Sequence, residues 1–327
     1  MSAVSSIRVG KAVNQALADA MAADPDVVLL GEDIGAAGGS FGVTRGLQDR
    51  FSADRVRDTP ISEATIVAMA LGAAMSGLRP VVEIMFMDFM TLAMDALVNQ
   101  AAKAHFMFGG QVCAPMVIRT PHGGGLNAGP QHSQCIEAWF AHVPGLKVVC
   151  PSNAGDAYSL MRAAIDDPNP VIFVENKALY AREDTVAAEW RQAEIGKAAV
   201  VREGRDATIV SYGATVADAL CASDMLAGEN IDVEVVDLRS LQPWDEDTVL
   251  SSLAKTHRLV VAHEAVEAFG IGAEIAARMA DIGFDELDGP IIRVGAPFMP
   301  VPFARALEQQ YRPGPGDIAT AIRRTLA

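Results

Sequence analysis

The chain has 327 residues, of which half are hydrophobic, 20% are charged and four are cysteines, and its formal net charge is −15 at pH 7. This negative charge argues against binding to nucleic-acid backbones or to an anionic membrane surface, and the length favours about two domains. The cysteines form no CxxC pair, which favours a reduced, cytoplasmic protein.

The N-terminal segment lacks the apolar core of a signal peptide and predicts an amphipathic helix. The uncharged run from Ala64 to Leu78 is shorter than the roughly 20 residues that a membrane-spanning helix needs. The sequence therefore predicts no membrane span.

After the N-terminal helix, the apolar pattern alternates between short buried strands and helices, which is typical of an α/β fold. Predicted helices cover Asp88 to Phe108 and Asn153 to Asp166, the latter capped by Ser152 or Asn153. Predicted strands lie in “DVVLLGEDIG”, “RPVVEIMF”, “APMVIRT”, “LKVVCPS” and “NPVIFVEN”.

A charged segment, Ala181 to Val200, interrupts this alternation. The pattern restarts in “DATIVSYG”, the helix Ala214 to Ala227, “IDVEVVDLRS”, “RLVVAHEA” and the helix Gly272 to Asp281, and indicates a second, smaller parallel unit. We therefore predict one α/β domain over 1–185, a linker over 186–198 and a second α/β domain over 199–327.

Motifs for several familiar chemistries are missing. “FGIGAEIAARM” has Gly270 and Gly272 but Ile275 where a dinucleotide fingerprint needs its third glycine, and we expect no strand directly before it. The segment therefore predicts a helix start and not a nicotinamide site. The sequence also lacks GxxxxGK[ST], GxSxG and HExxH.

Glu63 is the one carboxylate of “ISEATIVAMALGAAM”, at the head of an uncharged run. Thr59 or Ser62 could cap a helix here, and the helix is apolar enough to be packed on all sides. The simpler interpretation is a charge that pairs with the N-terminal end of the helix dipole. The functional alternative is a buried carboxyl group that shares a proton with a ligand base.

The segment “GGGLNAGPQHSQC” is the second candidate site. Its glycines suit a mobile loop or the close approach of a ligand. His132 follows them and could be an acid/base group or simply a surface residue. The other histidines are scattered along the chain and carry no prediction.

Eight stretches follow one another along the chain: “DTPISE”, “GAAMSGLRPVVEIMF”, “NQAAKAHFMFGG”, “QHSQ”, “PGLKVVCPS”, “NPVIFVENKALY”, “DLRSLQPWDEDT” and “PVPFA”. Together they resemble the beta subunit of the thiamine-diphosphate-dependent decarboxylating component of 2-oxo acid dehydrogenase complexes. Within that family, “MFMDF”, “KAHFMFGG” and “VIRT” are most similar to the acetoin dehydrogenase beta subunit. The pyruvate and branched-chain beta subunits are close alternatives.

The resemblance implies a transketolase-like pyrimidine-binding domain followed by a transketolase C-terminal-type domain. It also implies an α₂β₂ heterotetramer, with thiamine diphosphate held between α and β subunits, and a lipoyl acyltransferase core as a further partner. In the family the α subunit supplies the Mg²⁺ site through GDG and paired asparagines, which this sequence lacks. This chain is therefore expected to supply half of each active site.

The resemblance also assigns site residues. It places Glu63 at the glutamate that hydrogen-bonds N1′ of the cofactor's aminopyrimidine, which activates the cofactor. It places His132 at the loop histidine implicated in proton transfer and in passing the acyl group to lipoamide. Ile61, Met85 and Phe89 fall where the family lines the pyrimidine pocket.

A structural potassium site, built largely of backbone carbonyls, is implied at Met116, Ala164, Ile165, Asp167 and Asn169. One departure concerns the His132 loop, which has more glycine than the alanine-rich loop of many relatives and has Pro130 close to the histidine. The implied activity is cleavage of acetoin or decarboxylation of a 2-oxo acid, with acyl transfer to lipoamide. The rival hypotheses are a non-catalytic scaffold subunit of the same fold and, more remotely, a nicotinamide-dependent oxidoreductase.

Overall fold

The computed structural model describes residues 4–187, 190 and 193–327, and its contacts divide the chain into two compact units. The first unit comprises Met1–His122 and Trp139–Ile195, and the second comprises Gly123–Ala138 and Gly196–Ala327. Within the predicted linker 186–198, residues 188, 189, 191 and 192 lie outside the described residues. The domain limits 1–185 and 199–327 therefore stay predictions.

The first unit is built on parallel strands. Its central strands run in the order β6-β7-β5-β4-β2-β3, each parallel to its neighbours, while β1 and β8 form a separate antiparallel pair. The strands β5 and β7 are buried along their whole length, as expected for parallel strands that are covered on both faces. The strands are β1 (Val4–Arg8), β2 (Val27–Gly31), β3 (Val56–Asp58), β4 (Arg79–Glu83), β5 (Val117–His122), β6 (Lys147–Val149), β7 (Val171–Asn176) and β8 (Glu183–Ala187).

The helices up to the end of the first unit are α1 (Val9–Ala23), α2 (Leu47–Phe51), α3 (Glu63–Met75), α4 (Ala102–Met107), α5 (Glu137–Ala141) and α6 (Ala154–Asp166). The predicted cap of α6 is confirmed at Asn153, whose side-chain oxygen accepts a hydrogen bond from the N–H of Asp156 at 2.9 Å. The single helix predicted over Asp88 to Phe108 is wrong in detail. It is a 3₁₀ helix (Met87–Ala93), a π helix (Asp95–Ala101) and then α4.

Two expectations for α3 are corrected. Ser62 occupies the N-cap position, but its hydroxyl bonds to Thr65 Oγ1 at 2.8 Å and caps no backbone N–H. The helix is also not packed on all sides within this chain, because Met69 and Met75 are exposed on one face. The other face, which includes Ile66, Val67 and Ala70, is buried.

The second unit contains a five-stranded sheet in the order β14-β13-β10-β11-β9. Four of these strands are parallel, and the edge strand β9 is antiparallel to β11. Its elements are β9 (Ala199–Arg202), β10 (Ala207–Ser211), α7 (Thr215–Ala227), β11 (Val233–Asp237), β12 (Ser240–Gln242), α8 (Glu246–Thr256), β13 (Leu259–Val266), α9 (Ile271–Ile282), β14 (Ile292–Ala296), α10 (Arg305–Tyr311) and α11 (Pro315–Leu326).

The “FGIG” segment is a helix start, since α9 begins at Ile271. No strand lies directly before it, as expected, because β13 ends at Val266 and residues 267–269 separate it from Gly270. The two glycines serve packing: a Cβ on either residue would lie 2.8 Å from the ring of the buried His263. Such contacts leave room for no side chain at these positions.

Among the described residues, no helix combines the length and the apolarity that crossing a membrane requires.

Candidate active site

The predicted cofactor-binding residues of the first unit follow the carboxyl ends of neighbouring parallel strands. Ile61 and Glu63 come shortly after β3, and Met85 and Phe89 come shortly after β4. Between these two strands lies β2, which is followed directly by Glu32. Because parallel strands end at a common edge, these side chains gather on one side of the sheet, where α/β proteins bind their ligands.

Glu63 is the first residue of α3, and only 5% of its surface is exposed. A carboxylate at this position interacts favourably with the positive end of the helix dipole. Glu32 is also buried nearby, and burial, followed by the negative charges of Glu63 and Asp33, raises the pKa of Glu32. The edge of the sheet thus holds two neighbouring carboxyl groups, and the charge of one opposes ionisation of Glu32.

The apolar residues predicted to line the pocket differ in exposure. Met85 and Phe89 are half-buried, and the rings of Phe86 and Phe89 pack edge to face with centroids 5.6 Å apart. The 3₁₀ helix that contains Phe89 packs against α3. Ile61 is 82% exposed in this chain. The structure therefore packs the 3₁₀ helix that carries Phe89 against α3, which carries Glu63, and leaves Ile61 at the surface.

His132 lies in the second unit, in the segment Gly123–Ala138, and is half-buried. Its backbone N–H bonds to the carbonyl of Gly129 at 3.4 Å. A cavity of about 500 Å³ adjoins it and is lined by Gln131, Ser133, Tyr311 and apolar residues such as Met299. Burial raises the pKa of Tyr311 to about 12, so its phenol remains protonated near neutral pH and can donate a hydrogen bond.

Sequence reasoning missed a buried charged cluster at the same sheet edge of the first unit. Arg119 of β5 donates from Nη1 to Glu83 Oε2 of β4 at 2.6 Å, and from Nε and Nη2 to the two carboxylate oxygens of Glu175 of β7 at 2.7 and 2.8 Å. The Tyr180 hydroxyl donates to Glu175 at 2.8 Å. The available signal was a charged residue next to the buried apolar residues of each of the three strands, because a charge in such surroundings requires a partner.

The environment of this cluster shifts its titration. Burial by itself lowers the pKa of Arg119, but the carboxylates of Glu175 and Glu83 outweigh it and raise that pKa above its usual value. Burial raises the pKa of Glu83 despite the opposing charge of Arg119. Burial and the charge of Glu175 raise the pKa of Tyr180 well above 10. Arg119 therefore stays charged and holds two strand ends together.

The residues of the implied potassium site come from two places in the first unit. Met116 precedes β5 and the others belong to the end of α6 and the turn after it, and β5 pairs with β7 so that Val117 faces Val171. The Met116 carbonyl accepts the N–H of Val171 at 3.0 Å, and the Ile165 carbonyl accepts Nη1 of Arg79 at 2.8 Å. A carbonyl oxygen has two lone pairs, so each of these two carbonyls keeps one lone pair that these hydrogen bonds do not use.

The Asp167 side chain is engaged separately, by the ammonium group of Lys147 and by the N–H of Asn169 at 2.9 Å. This arrangement leaves backbone carbonyls, and not the carboxylate, as the groups that would face an ion at the turn.

Comparison with known proteins identifies the family. The description “Transketolase, pyrimidine binding domain” matches residues 5–183, and “Transketolase, C-terminal domain” matches residues 196–318. The acetoin:2,6-dichlorophenolindophenol oxidoreductase beta subunit of Cupriavidus necator is 46% identical and that of Bacillus subtilis 45%; each alignment covers 96% of this chain, and 96% and 95% of the relative. The rice subunit beta-2 of the pyruvate dehydrogenase E1 component is 44% identical, over 98% of this chain and 87% of its own.

The chain belongs to the family of pyruvate and acetoin dehydrogenase beta subunits. A solved structure described as “Split gene transketolase, inactive beta4 tetramer” shares the fold of this beta subunit, with a TM-score of 0.82, 23% identity and 98% of each chain covered. The two α/β domains predicted from the sequence are thus confirmed as a transketolase-type pair.

Membership of this family implies a thiamine-diphosphate-dependent, multi-subunit enzyme and an α-type partner. The residues of the beta subunit fit the pyrimidine end of that cofactor. A buried carboxyl group at a helix N-terminus can bind a ring nitrogen, and Met85 and Phe89 can pack against an aromatic ring.

Proposed function

We propose that this chain is the beta subunit of a dehydrogenase that cleaves acetoin, or decarboxylates a 2-oxo acid, and transfers the acyl group to lipoamide. The observation that carries the proposal is the buried Glu63 carboxyl group at the head of α3, at the carboxyl edge of the parallel sheet. The names of the relatives support both acetoin and pyruvate as substrates.

Glu63 holds a proton at N1′ of the aminopyrimidine in this proposal. When bound, thiamine diphosphate supplies a nucleophilic carbon and an electron sink for the bond that is cleaved. Glu63 is buried, as are Ile66 and Val67 of the same helix, and burial reduces the competition of water for the Glu63 hydrogen bond. Met85, Phe89 and Ile61 position the ring, and His132 moves a proton during transfer of the acyl group.

The partners in this proposal are an α subunit that contributes the Mg²⁺ site, a second β subunit and a lipoyl acyltransferase core. The first unit exposes several large apolar side chains, which contact another subunit in this proposal. They are Ile61, Met69, Leu92, Phe106 and Met107. The α₂β₂ assembly, the cytoplasmic location and a potassium ion at Met116, Ala164, Ile165, Asp167 and Asn169 belong to the same proposal.

The test is to co-express the chain with an α-type subunit and to compare acetoin, pyruvate and branched-chain 2-oxo acids in one dye-linked oxidation assay. We expect turnover that depends on thiamine diphosphate, on Mg²⁺ and on the presence of both subunits. An assembled complex that binds the cofactor and turns over none of these substrates would exclude the catalytic role and favour a scaffold subunit.

A further inference from the structure

We propose that Glu308 is a positioning residue for the reaction: with Glu264, it holds the main chain of the loop that carries His132. The proposal rests on the proposed function, because that function gives His132 its role in proton and acyl transfer. All the contacts involved lie within the second unit.

Glu308 binds the loop through its backbone. The carboxylate, on α10, accepts the N–H of Gly125 at 3.0 Å through Oε1 and the N–H of Asn127 at 3.1 Å through Oε2. The residue is only 2% exposed. Hydrogen bonds to an ionised acceptor are stronger than neutral ones, and burial reduces competition from water. Glu308 thus fixes two main-chain positions at once.

Glu264 holds the preceding residue. This buried carboxylate, on β13, accepts the N–H of Gly124 at 2.6 Å and Nε of Arg312 at 2.9 Å. Arg312 offsets one of the two negative charges that the loop faces. A strand and a helix of the second unit therefore hold three N–H groups of one short loop, between residues 124 and 127.

The glycines of the loop are explained by this close approach. A Cβ at Gly124 would lie 3.0 Å from Glu308 Oε1 and 3.4 Å from Glu264 Oε1. At Gly129, where φ is +74°, a Cβ would lie 2.2 Å from a ring carbon of Phe303. The two uses suggested by the sequence, a mobile loop or close approach of a ligand, stay predictions, and the structure adds a third reason for the glycines. The backbone approaches carboxylates and a ring of its own chain.

Residues 124–127, whose N–H groups bond to Glu264 and Glu308, lie shortly before His132 in the chain. Gly129, against Phe303, provides the carbonyl that accepts the N–H of His132. Beyond the histidine, Glu137 is fully buried and accepts a hydrogen bond from the Tyr212 hydroxyl at 2.7 Å. His132 therefore lies between two anchored ends, and its placement depends on both.

Loss of the Glu308 contacts should move His132 without removing it. A displacement of about 1 Å at a catalytic group can lower turnover by about a hundredfold. The variant Glu308→Gln keeps the size of the side chain and one acceptor oxygen, but it removes the charge and turns an NH₂ group towards one of the two N–H donors. Glu308→Ala removes both bonds.

The experiment uses the full complex of this chain with its α subunit. We expect Glu308→Gln to lower the lipoamide-linked rate by about tenfold or more, with little change in KM, and to speed amide hydrogen exchange at Gly125 and Asn127. Combined with His132→Gln, it should add little further loss, because the two changes act through one group. The matched control is Glu274→Gln, an exposed glutamate of the same unit, which should alter neither readout.

Unchanged amide hydrogen exchange at Gly125 and Asn127 in Glu308→Gln would overturn the proposal that Glu308 holds the loop. Faster exchange with an unaltered lipoamide-linked rate, or losses that multiply fully in the double variant, would overturn its link to His132. If the wild-type complex turned over no substrate, the proposed function would fall, and the exchange measurement would still decide whether Glu308 holds the loop.

Discussion

Arg119 donates two parallel hydrogen bonds to Glu175 inside the first unit, from Nε to Oε1 at 2.7 Å and from Nη2 to Oε2 at 2.8 Å. Both side chains are almost completely buried. Glu83, on the other side of the guanidinium, completes a set of three charges drawn from three neighbouring strands. The guanidinium of Arg119 thus pairs with two buried carboxylates at the edge of the sheet where the cofactor is proposed to bind.

Arg119→Met should destabilise the chain by about 3–5 kcal/mol, because removing one member of a buried ion cluster leaves the others without compensation. The midpoint of thermal unfolding is the measurement. The control is Arg323→Gln at the exposed pair with Glu229, which should leave the midpoint nearly unchanged. Equal midpoints for Arg119→Met and the wild type would mean that the cluster contributes little to stability.

Glu63→Ala should abolish turnover of the assembled complex without preventing assembly. General acid–base groups contribute about 10²- to 10⁴-fold, so a loss of at least the lower value is expected in the dye-linked assay. Glu274, also in the first turn of a helix but exposed, provides a matched control as Glu274→Ala. Retained activity in Glu63→Ala, with the complex intact by size-exclusion chromatography, would remove Glu63 from the chemistry.

Glu32→Gln should change how stability depends on pH. Since the pKa of Glu32 in the folded chain is raised above its usual 4.5, the folded state holds this proton to a higher pH than the unfolded state. The corresponding stability is present below about pH 4.5 and is lost as pH rises through the folded pKa. The variant lacks this loss, so its unfolding midpoint should rise relative to that of the wild type between pH 4.5 and 7. Parallel curves of midpoint against pH for the two proteins would contradict this prediction.

His263, in the second unit, should make stability depend on pH in the opposite direction. Burial lowers its pKa below 6.5, so the stability associated with its neutral form is present above that pH and is lost as pH falls, by at most about 1.4 kcal/mol per pH unit. His263→Asn keeps a donor towards the Ala265 carbonyl, which Nδ1 approaches to 3.1 Å, and should flatten the pH dependence between 7 and 5. The exposed His142 supplies the control as His142→Asn.

Potassium should stabilise the chain if the turn after α6 binds it. We expect a higher unfolding midpoint in KCl than in NaCl or choline chloride at equal ionic strength. A site that is specific for the folded state adds about 2.7 kcal/mol at a concentration of 100 times its Kd. Identical midpoints in the three salts would exclude a potassium site of useful affinity at Met116, Ala164, Ile165, Asp167 and Asn169.

The features that were predictable from the sequence depend on neighbours in the chain. Asn153 caps α6 through the N–H of Asp156, three residues away, and apolar runs such as “PVIFVEN” become strands because they are continuous. Ser62 shows the limit of such reasoning. It has the right residue type and position for a cap, but Thr65 takes its hydroxyl.

The sequence by itself determined the α/β class, most of the strands and the family, because hydrophobic periodicity and ordered motifs are properties of the chain alone. Only the tertiary structure decided which charged groups meet. Arg119 and Glu175 are 56 residues apart, and Gly125 and Glu308 are 183 apart, so their pairing depends on the path of the chain through the fold. The exposed face of α3 was decided there too, since burial depends on what packs against a helix as well as on its composition.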